Sequence, residues 1–313
     1  MLKPRLVFSA CLNLEKTRYD GKLIENSIAI KLRNFCDIIS VCPEIGIGLP
    51  VPREKIILYK ENEEIKAVEI FTGKDFTKKL ISFSINFIKN LPEVEGFFLK
   101  SKSPSCGVSY KTKTYKDIKG EILIDKTQGI FAKEILNAFP FIPVVDEEIL
   151  KDKDNLENFL IRIWALRRLR ELKENAQSKE DIIEFHKKSY YLLMSYDSSN
   201  LSEIENILLF WNISFEKLLK IYEEIFKKIL AKPFSREKQI KVILHILEKF
   251  SKDLKEKKQI FYLLERYKKR EIPLIDIIVE LKNLFQRIDK EELSFYFYLE
   301  PYPDELKELF ELI

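Results

Sequence analysis

Glycine, cysteine and long apolar runs are scarce in this chain. Eight of its 313 residues are glycine and four are cysteine. No apolar run approaches the roughly 20 residues that a membrane-spanning helix needs, so no membrane partner is expected. The opening Met1-Leu2-Lys3-Pro4-Arg5 leads straight into a strand-like run and lacks the apolar core of a secretion signal, which makes the cytoplasm the expected compartment. In a reducing compartment, cysteines this sparse argue against a disulfide framework. Fixed-period repeats and low-complexity tracts are missing too, which removes solenoids and arrays from consideration. The formal net charge is only +4. That neither demands nor excludes a nucleic-acid partner, because a local basic face acts without a large total.

What is present falls into two patterns. Residues 1–150 alternate short apolar runs with amphipathic stretches, and strands are expected at 5–10, 38–42, 55–60, 65–71, 96–100 and 142–145. The polar Glu61-Asn62-Glu63-Glu64 between two of them reads as a hairpin connection. Helices are expected at 23–34, 75–90 and 128–138, the last with Thr127 as N-cap and Pro140 beyond its end. Helices between strands imply an α/β domain with a parallel or mixed sheet covered on both faces. Strand-like runs then vanish. Helical periodicity over 155–174, 179–195, 215–230, 235–251, 255–270, 273–288 and 303–312 predicts an all-α domain over 151–313, entered through the charged linker at 151–154.

Three of the strand-like runs end at a cysteine. Leu6 to Ala10 runs into Cys11, Ile38 to Val41 into Cys42, and Gly96 to Leu99 into a turn-rich loop, Ser101-Lys102-Ser103-Pro104-Ser105-Cys106-Gly107. Pro104 biases Ser103 towards an extended backbone, and Gly107 permits close backbone approach. Parallel strands gather remote loops at their carboxyl ends, so these three thiols are candidates for one site. Their spacing is not the close C-x-x-C of structural zinc or bacterial ferredoxins. Three thiolates can hold an iron–sulfur cluster with one open iron, or zinc with one open position; each can equally be a small buried apolar residue. Cys36, at a predicted helix end and after no strand, reads as structural. Glu44 lies two residues from Cys42, where it suits a general base or a helix-start carboxylate. Ser101, Ser103 and Ser105 can orient a substrate or bond their own turn. Arg53 suits a phosphate or base edge, and Arg18, Tyr19 and Asp20 can form a rim.

The segments Ser9-Ala10-Cys11-Leu12, Arg18-Tyr19-Asp20-Gly21, Val41-Cys42-Pro43-Glu44, Gly48 to Glu54, Leu99 to Gly107 and Gly129-Ile130-Phe131-Ala132 together resemble the thiouracil desulfidase family. The resemblance covers most of residues 4–145. It implies a [4Fe-4S] cluster held by Cys11, Cys42 and Cys106, with one open iron that captures the sulfur of a thiocarbonyl. It implies that Glu44 is the catalytic carboxylate and Ser103 the catalytic hydroxyl, with Arg18, Tyr19, Asp20, Arg53 and Ser101 facing the substrate. The implied reaction exchanges C=S for C=O without net electron transfer.

The second half, through Phe185-His186, Tyr191 to Met194, Val242 to Ile246, Ile272 to Ile275 and Tyr298-Leu299-Glu300-Pro301-Tyr302-Pro303, resembles a helical domain often fused to desulfidases. Chains with both parts resemble tRNA 4-thiouridine desulfidases, so the expected partner is tRNA, bound through the helical domain. Free 2-thiouracil or another small thiolated compound is the alternative substrate, and a non-catalytic iron–sulfur binding or sensing protein is the other reading. Arg162, Arg167, Arg168 and Arg170 around Trp164, and Lys268-Lys269-Arg270, suit RNA phosphates beside aromatics such as Tyr190, Tyr191 and Tyr267, although charge runs also mark solvated helix faces. His186 and His245, among apolar residues, read as core histidines.

Overall fold

The structure is a computed structural model that describes every residue except Met1, Glu63, 210–212, 252–253 and 289–295. The chain divides into two compact units, Lys3–Asp152 and Lys153–Glu311.

The first unit is α/β and holds two four-stranded sheets. One is made of β1 (Arg5–Ser9), β2 (Asp37–Val41), β5 (Gly96–Leu99) and β8 (Val144–Asp146), in the order β2-β1-β5-β8. Every pairing in it is parallel. Strand β1 lies at its centre, and Leu6, Val7 and Phe8 are wholly buried. A parallel strand covered on both faces needs that unbroken apolar run. The cover includes α1 (Ser27–Phe35), α3 (Thr77–Asn90) and α4 (Ile130–Ala138). Phe131 and Ile135 of α4 pack into a core with Val7, Phe97 and Leu99.

The second sheet, in the order β4-β3-β6-β7, is mixed. Strands β3 (Ile56–Glu61) and β4 (Glu64–Glu69) form the hairpin that the polar connection predicts, with Glu61 opposite Glu64. Strand β3 runs parallel to β6 (Thr112–Tyr115), which pairs antiparallel with β7 (Leu123–Thr127). Sequence periodicity does not reveal β6 and β7. In β6 the inward positions are Thr112 and Thr114, and in β7 no residue is buried, so neither strand carries an apolar stripe. Thr127 was expected to cap α4, but it closes β7; the cap is Gly129.

The second unit is helical: α5 (Lys153–Asn175), α6 (Lys179–Tyr196), α7 (Leu201–Leu208), α8 (Phe215–Leu230), α9 (Arg236–Phe250), α10 (Leu254–Lys268) and α11 (Leu274–Arg287). Helix α7 was not expected, and the predicted last helix is a 3₁₀ segment, Asp304–Glu311. No helix among the described residues is long and apolar enough to cross a membrane.

Helix α5 is buried on all sides, from Leu156 and Phe159 to Trp164 and Leu169. Its arginines are therefore not a surface band. Arg167 and Arg170 are 4% and 3% exposed, and they reach Glu171 at 2.6 Å and Glu174 at 3.4 Å. Arg168 lies over the Phe297 ring and donates to the Glu300 carbonyl. Trp164, Tyr191 and Tyr267 are buried as well, so these three of the aromatics expected beside the basic runs belong to the core, and Tyr190 is half-buried. Lys268, Lys269 and Arg270 do stay exposed.

Glu157 of α5 is wholly buried, accepting from the Leu274 backbone N–H at 2.7 Å and the Tyr302 hydroxyl at 3.2 Å. Burial pushes its carboxyl up to about 8, so it sits neutral in the core at pH 7. The Tyr298-to-Pro303 segment is thus a tie between α5 and the start of α11. His186 is buried beside the Tyr222 hydroxyl, and burial pushes its imidazole down to about 4. His245 differs from expectation: it is exposed on α9, at a position the helix turns away from its apolar face.

Candidate active site

The site forms at the carboxyl edge of the parallel sheet. Ser9 of β1 aligns with Val41 of β2, and Phe8 aligns with Phe98 of β5, so the three strands end side by side. The chain reverses strand order about β1, and a crevice opens at such a switch point. Cys42 directly follows β2, Cys11 follows β1 after one alanine, and Cys106 sits in the loop after β5. The three thiols share one electrostatic neighbourhood. Burial raises all three, and it pushes Cys11 up to about 12, with Cys42 next to it adding to the effect. Cys106 is further raised by both Cys11 and Cys42. All three are free thiols. Among the described residues, no three or more His, Cys, Asp or Glu side chains are arranged to hold a single metal ion. Cys36 lies elsewhere, as the C-cap of α1.

Glu44 stands on the short helix α2 (Pro43–Gly46), whose N-cap is Cys42 itself. Both its oxygens are engaged. Oε2 accepts from Arg53 Nε at 2.8 Å and from a terminal nitrogen of the same guanidinium at 2.6 Å. Oε1 accepts from the Ser105 hydroxyl at 2.9 Å. The Arg53 side chain is 4% exposed, and it also donates to the Thr17 carbonyl at 2.9 Å, where the Cys42 thiol points from 3.9 Å. Arg53 therefore faces inward and sets the orientation of Glu44.

The cysteine loop is organised by its own serines. The Ser103 hydroxyl accepts from the backbone N–H groups of Ser105 at 3.2 Å and Cys106 at 3.0 Å, which fixes the turn that presents the thiol. Ser105, wholly buried, carries the hydroxyl that meets Glu44. Ser101 is buried on the other side, where its backbone N–H donates to Glu147 at 2.7 Å. Lys100 bridges Ser101 and Glu147, and its charge opposes the upward push on Cys11.

The amino-terminal turn of α4 clasps this loop. Ile130 N–H donates to Pro104 at 2.9 Å and Ala132 N–H to Ser105 at 3.0 Å. The fit leaves no room at Gly129, where a Cβ would lie 2.4 Å from the Ser105 carbonyl oxygen, nor at Gly107, where it would meet Thr112 Oγ1 at 2.1 Å. What comes close to Gly107 is the protein's own Thr112. Gly129→Ala is expected to displace the cysteine loop and to destabilise the unit by about 1–3 kcal/mol. Thermal or denaturant unfolding checks this, and an unchanged midpoint would show that the loop yields freely.

Tyr19 and Glu44 line a cleft of about 620 Å³ between the loops and the second sheet. Arg18 and Lys55 approach the Tyr19 ring at 5.0 and 5.2 Å. Asp20 pairs with Arg18 at 3.4 Å and accepts from the Lys22 backbone N–H, so Arg18, Tyr19 and Asp20 form one turn on the rim. The fold thus brings together Cys11, Cys42, Cys106, Glu44 and Arg53, with Tyr19 at the mouth. Reading the sequence residue by residue passed over Ser9, Lys100 and Glu147. Ser9 Oγ accepts from Lys100 N–H at 2.9 Å and lies against the Cys106 thiol. Glu147 follows the end of β8, a fourth strand terminus, and that position was the available signal.

A family model described as 2-thiouracil desulfurase matches residues 6–147, and one described as a protein of unknown function, DUF1722, matches residues 190–303. No curated protein matches the chain. A solved structure of a [4Fe-4S]-dependent thiouracil desulfidase, TudS, is 25% identical, aligned over 48% of this chain and 94% of its own, with a TM-score of 0.37.

Proposed function

We propose, from the match of residues 6–147 to the 2-thiouracil desulfurase family model, that the chain is a desulfidase that converts the thiocarbonyl of a pyrimidine to a carbonyl. The observation that carries this reading is the convergence of three free thiols on a carboxylate held by Arg53 and Ser105. The balance is C=S plus water giving C=O plus hydrogen sulfide, with no oxidation or reduction.

The donor set fits an iron–sulfur cluster. Cys11, Cys42 and Cys106 share one electrostatic neighbourhood, and burial keeps each in its neutral form. A cationic group that takes thiolates as ligands removes that penalty. Cys11, Cys42 and Cys106 would hold it, one protein ligand short of four. When bound, such a cluster supplies a sulfur-seeking Lewis acid. The chain's own residues do the rest. Glu44 takes a proton from the attacking water, and its aim is set by Arg53 on one oxygen and Ser105 on the other. Ser103 holds Cys106 in place through the loop backbone. Tyr19 offers a face on which a pyrimidine can stack at the mouth of the cleft.

On substrate, 4-thiouridine in tRNA is the leading reading, because the fused helical domain resembles that of tRNA-acting proteins. The family description favours free 2-thiouracil as the second. The deciding experiment is anaerobic incubation of reconstituted protein with 4-thiouridine-containing tRNA and, separately, with free thiouracils. Sulfide release matched by appearance of the oxo base is expected. Faster turnover of tRNA supports the first substrate, and faster turnover of free base supports the second. No sulfide from any of them would overturn the desulfidase reading in favour of a binding or sensing role.

A further inference from the structure

The cleft over Glu44 is lined by five lysines, Lys55, Lys102, Lys111, Lys113 and Lys126, against a single acid, Glu44 itself. They come from separate segments: the entry to β3, the cysteine loop, the start of β6, and β7. Alternation along β6 puts Lys111, Lys113 and Tyr115 on one face, while Thr112 and Thr114 turn into the core. Lys113 stands directly opposite Lys126 in the β6–β7 pairing, and both are exposed. Like charges directly opposed across two strands destabilise a sheet. An anion seated between them turns that cost into attraction. Lys102 and Lys111 share Glu148 at 3.5 and 3.4 Å, long contacts on exposed side chains that a phosphate can displace.

We propose that this open face of the second sheet grips the phosphate backbone of a single-stranded polynucleotide, delivering one unstacked base past Tyr19 towards Glu44. The spread of charge decides against a smaller anion. Lys111 to Tyr115 spans roughly 13 Å of extended chain, and β7 lies about 5 Å to the side. One phosphate satisfies one or two ammonium groups, whereas a strand of several phosphates tracks the whole row. Tyr19 and Tyr115 in the same lining supply ring faces for bases, the usual companion of a basic groove that follows single strands. A duplex is disfavoured, because a base must leave its stack for its ring atoms to be reached. The arginines of α5 are turned inward, so this grip belongs to the amino-terminal unit.

The proposal rests on the desulfidase reading for its purpose but not for its test, which measures binding without turnover. The full chain is titrated with a dye-labelled, unthiolated single-stranded RNA oligonucleotide across a salt series, with uridine monophosphate as competitor. Affinity is expected to fall as salt rises, and the oligonucleotide to bind at least tenfold more tightly than the mononucleotide. Lys55→Gln/Lys113→Gln/Lys126→Gln is expected to weaken binding at least tenfold and to shrink the slope of log affinity on log salt by about two, at about 0.7 per phosphate contact on a single strand. Lys78→Gln/Lys79→Gln on α3, which removes positive charge away from the cleft, is the control and should bind as the parent does. If the triple variant melts early, Lys126→Gln alone still reports a slope change of about 0.7. Unchanged affinity and slope in the lysine variants would overturn the proposal, as would equal binding of the mononucleotide. So would loss of binding in Lys268→Gln/Lys269→Gln, which would move the grip to the helical unit. Loss of sulfide release with intact RNA binding would instead count against the desulfidase reading alone.

Discussion

Serine in place of Cys11, Cys42 or Cys106 is expected to abolish cluster binding. Anaerobically reconstituted parent protein should carry about four irons per chain with matching labile sulfide. Each of the three variants should hold close to none, and Cys36→Ser should load like the parent. The contrast follows from placement. Cys11, Cys42 and Cys106 share one electrostatic neighbourhood in the loops after β1, β2 and β5, whereas Cys36 is buried elsewhere, at the C-cap of α1. With only three protein ligands, loss of any one leaves the cluster with two. Serine preserves the size of each side chain, so a folding defect is not expected to mimic the result; circular dichroism and melting temperature check that point. Iron and acid-labile sulfide analysis, with visible absorbance, gives the readout. Stoichiometric zinc without labile sulfide in the parent would remove the iron–sulfur assignment and leave the three thiols as a zinc site.

Glu44→Gln is expected to keep iron content and visible absorbance while lowering kcat by about 10²–10⁴-fold, the usual weight of a positioned acid–base group. Glutamine keeps the shape and can still accept from Ser105, but it cannot take a proton. Because the change touches proton transfer and not substrate contact, KM should move much less than kcat. Replacing Ser105 by alanine removes one of the two anchors of Glu44, so a smaller drop in kcat is expected, again with the cluster retained. Ser103→Ala works through the loop: it frees the N–H groups of Ser105 and Cys106, and its effect should show first as weaker cluster retention. Ser101→Ala, on the far side of the loop, serves as the comparison. Near-normal turnover of Glu44→Gln at saturating substrate would hand the proton-transfer role to another group.

Much of the architecture was legible because its signals are local. The inner strands of the parallel sheet, β1 and β5, are continuous apolar runs because both their faces are covered, and such runs stand out against amphipathic helices. The change to helical periodicity near residue 155 is equally plain. Strands β6 and β7 were not legible. The inward positions of β6 are threonines and β7 buries none of its residues, so hydrophobic period-two alternation is missing. The burial of the α5 arginines was hidden for a related reason. A helix surrounded on all sides has no polar face to read, and its long cationic side chains lie along apolar neighbours to reach Glu171 and Glu174.

By itself, then, the chain's sequence determined that three cysteines follow three strands, that a carboxylate stands two residues from one of them, and that a helical half follows. Each of these depends on residue type and short-range order. Only the tertiary structure decided which serine meets Glu44, that Arg53 orients the carboxylate from within, and that lysines from β3, the cysteine loop, β6 and β7 face one cleft. Those outcomes depend on strand register and on partners far apart in the chain. Glu44 and Ser105 meet only because β2 and β5 flank β1 with their ends aligned. Lys113 and Lys126 oppose each other only because of how β6 and β7 pair, and a shift of one residue would turn either lysine to the other face of the sheet.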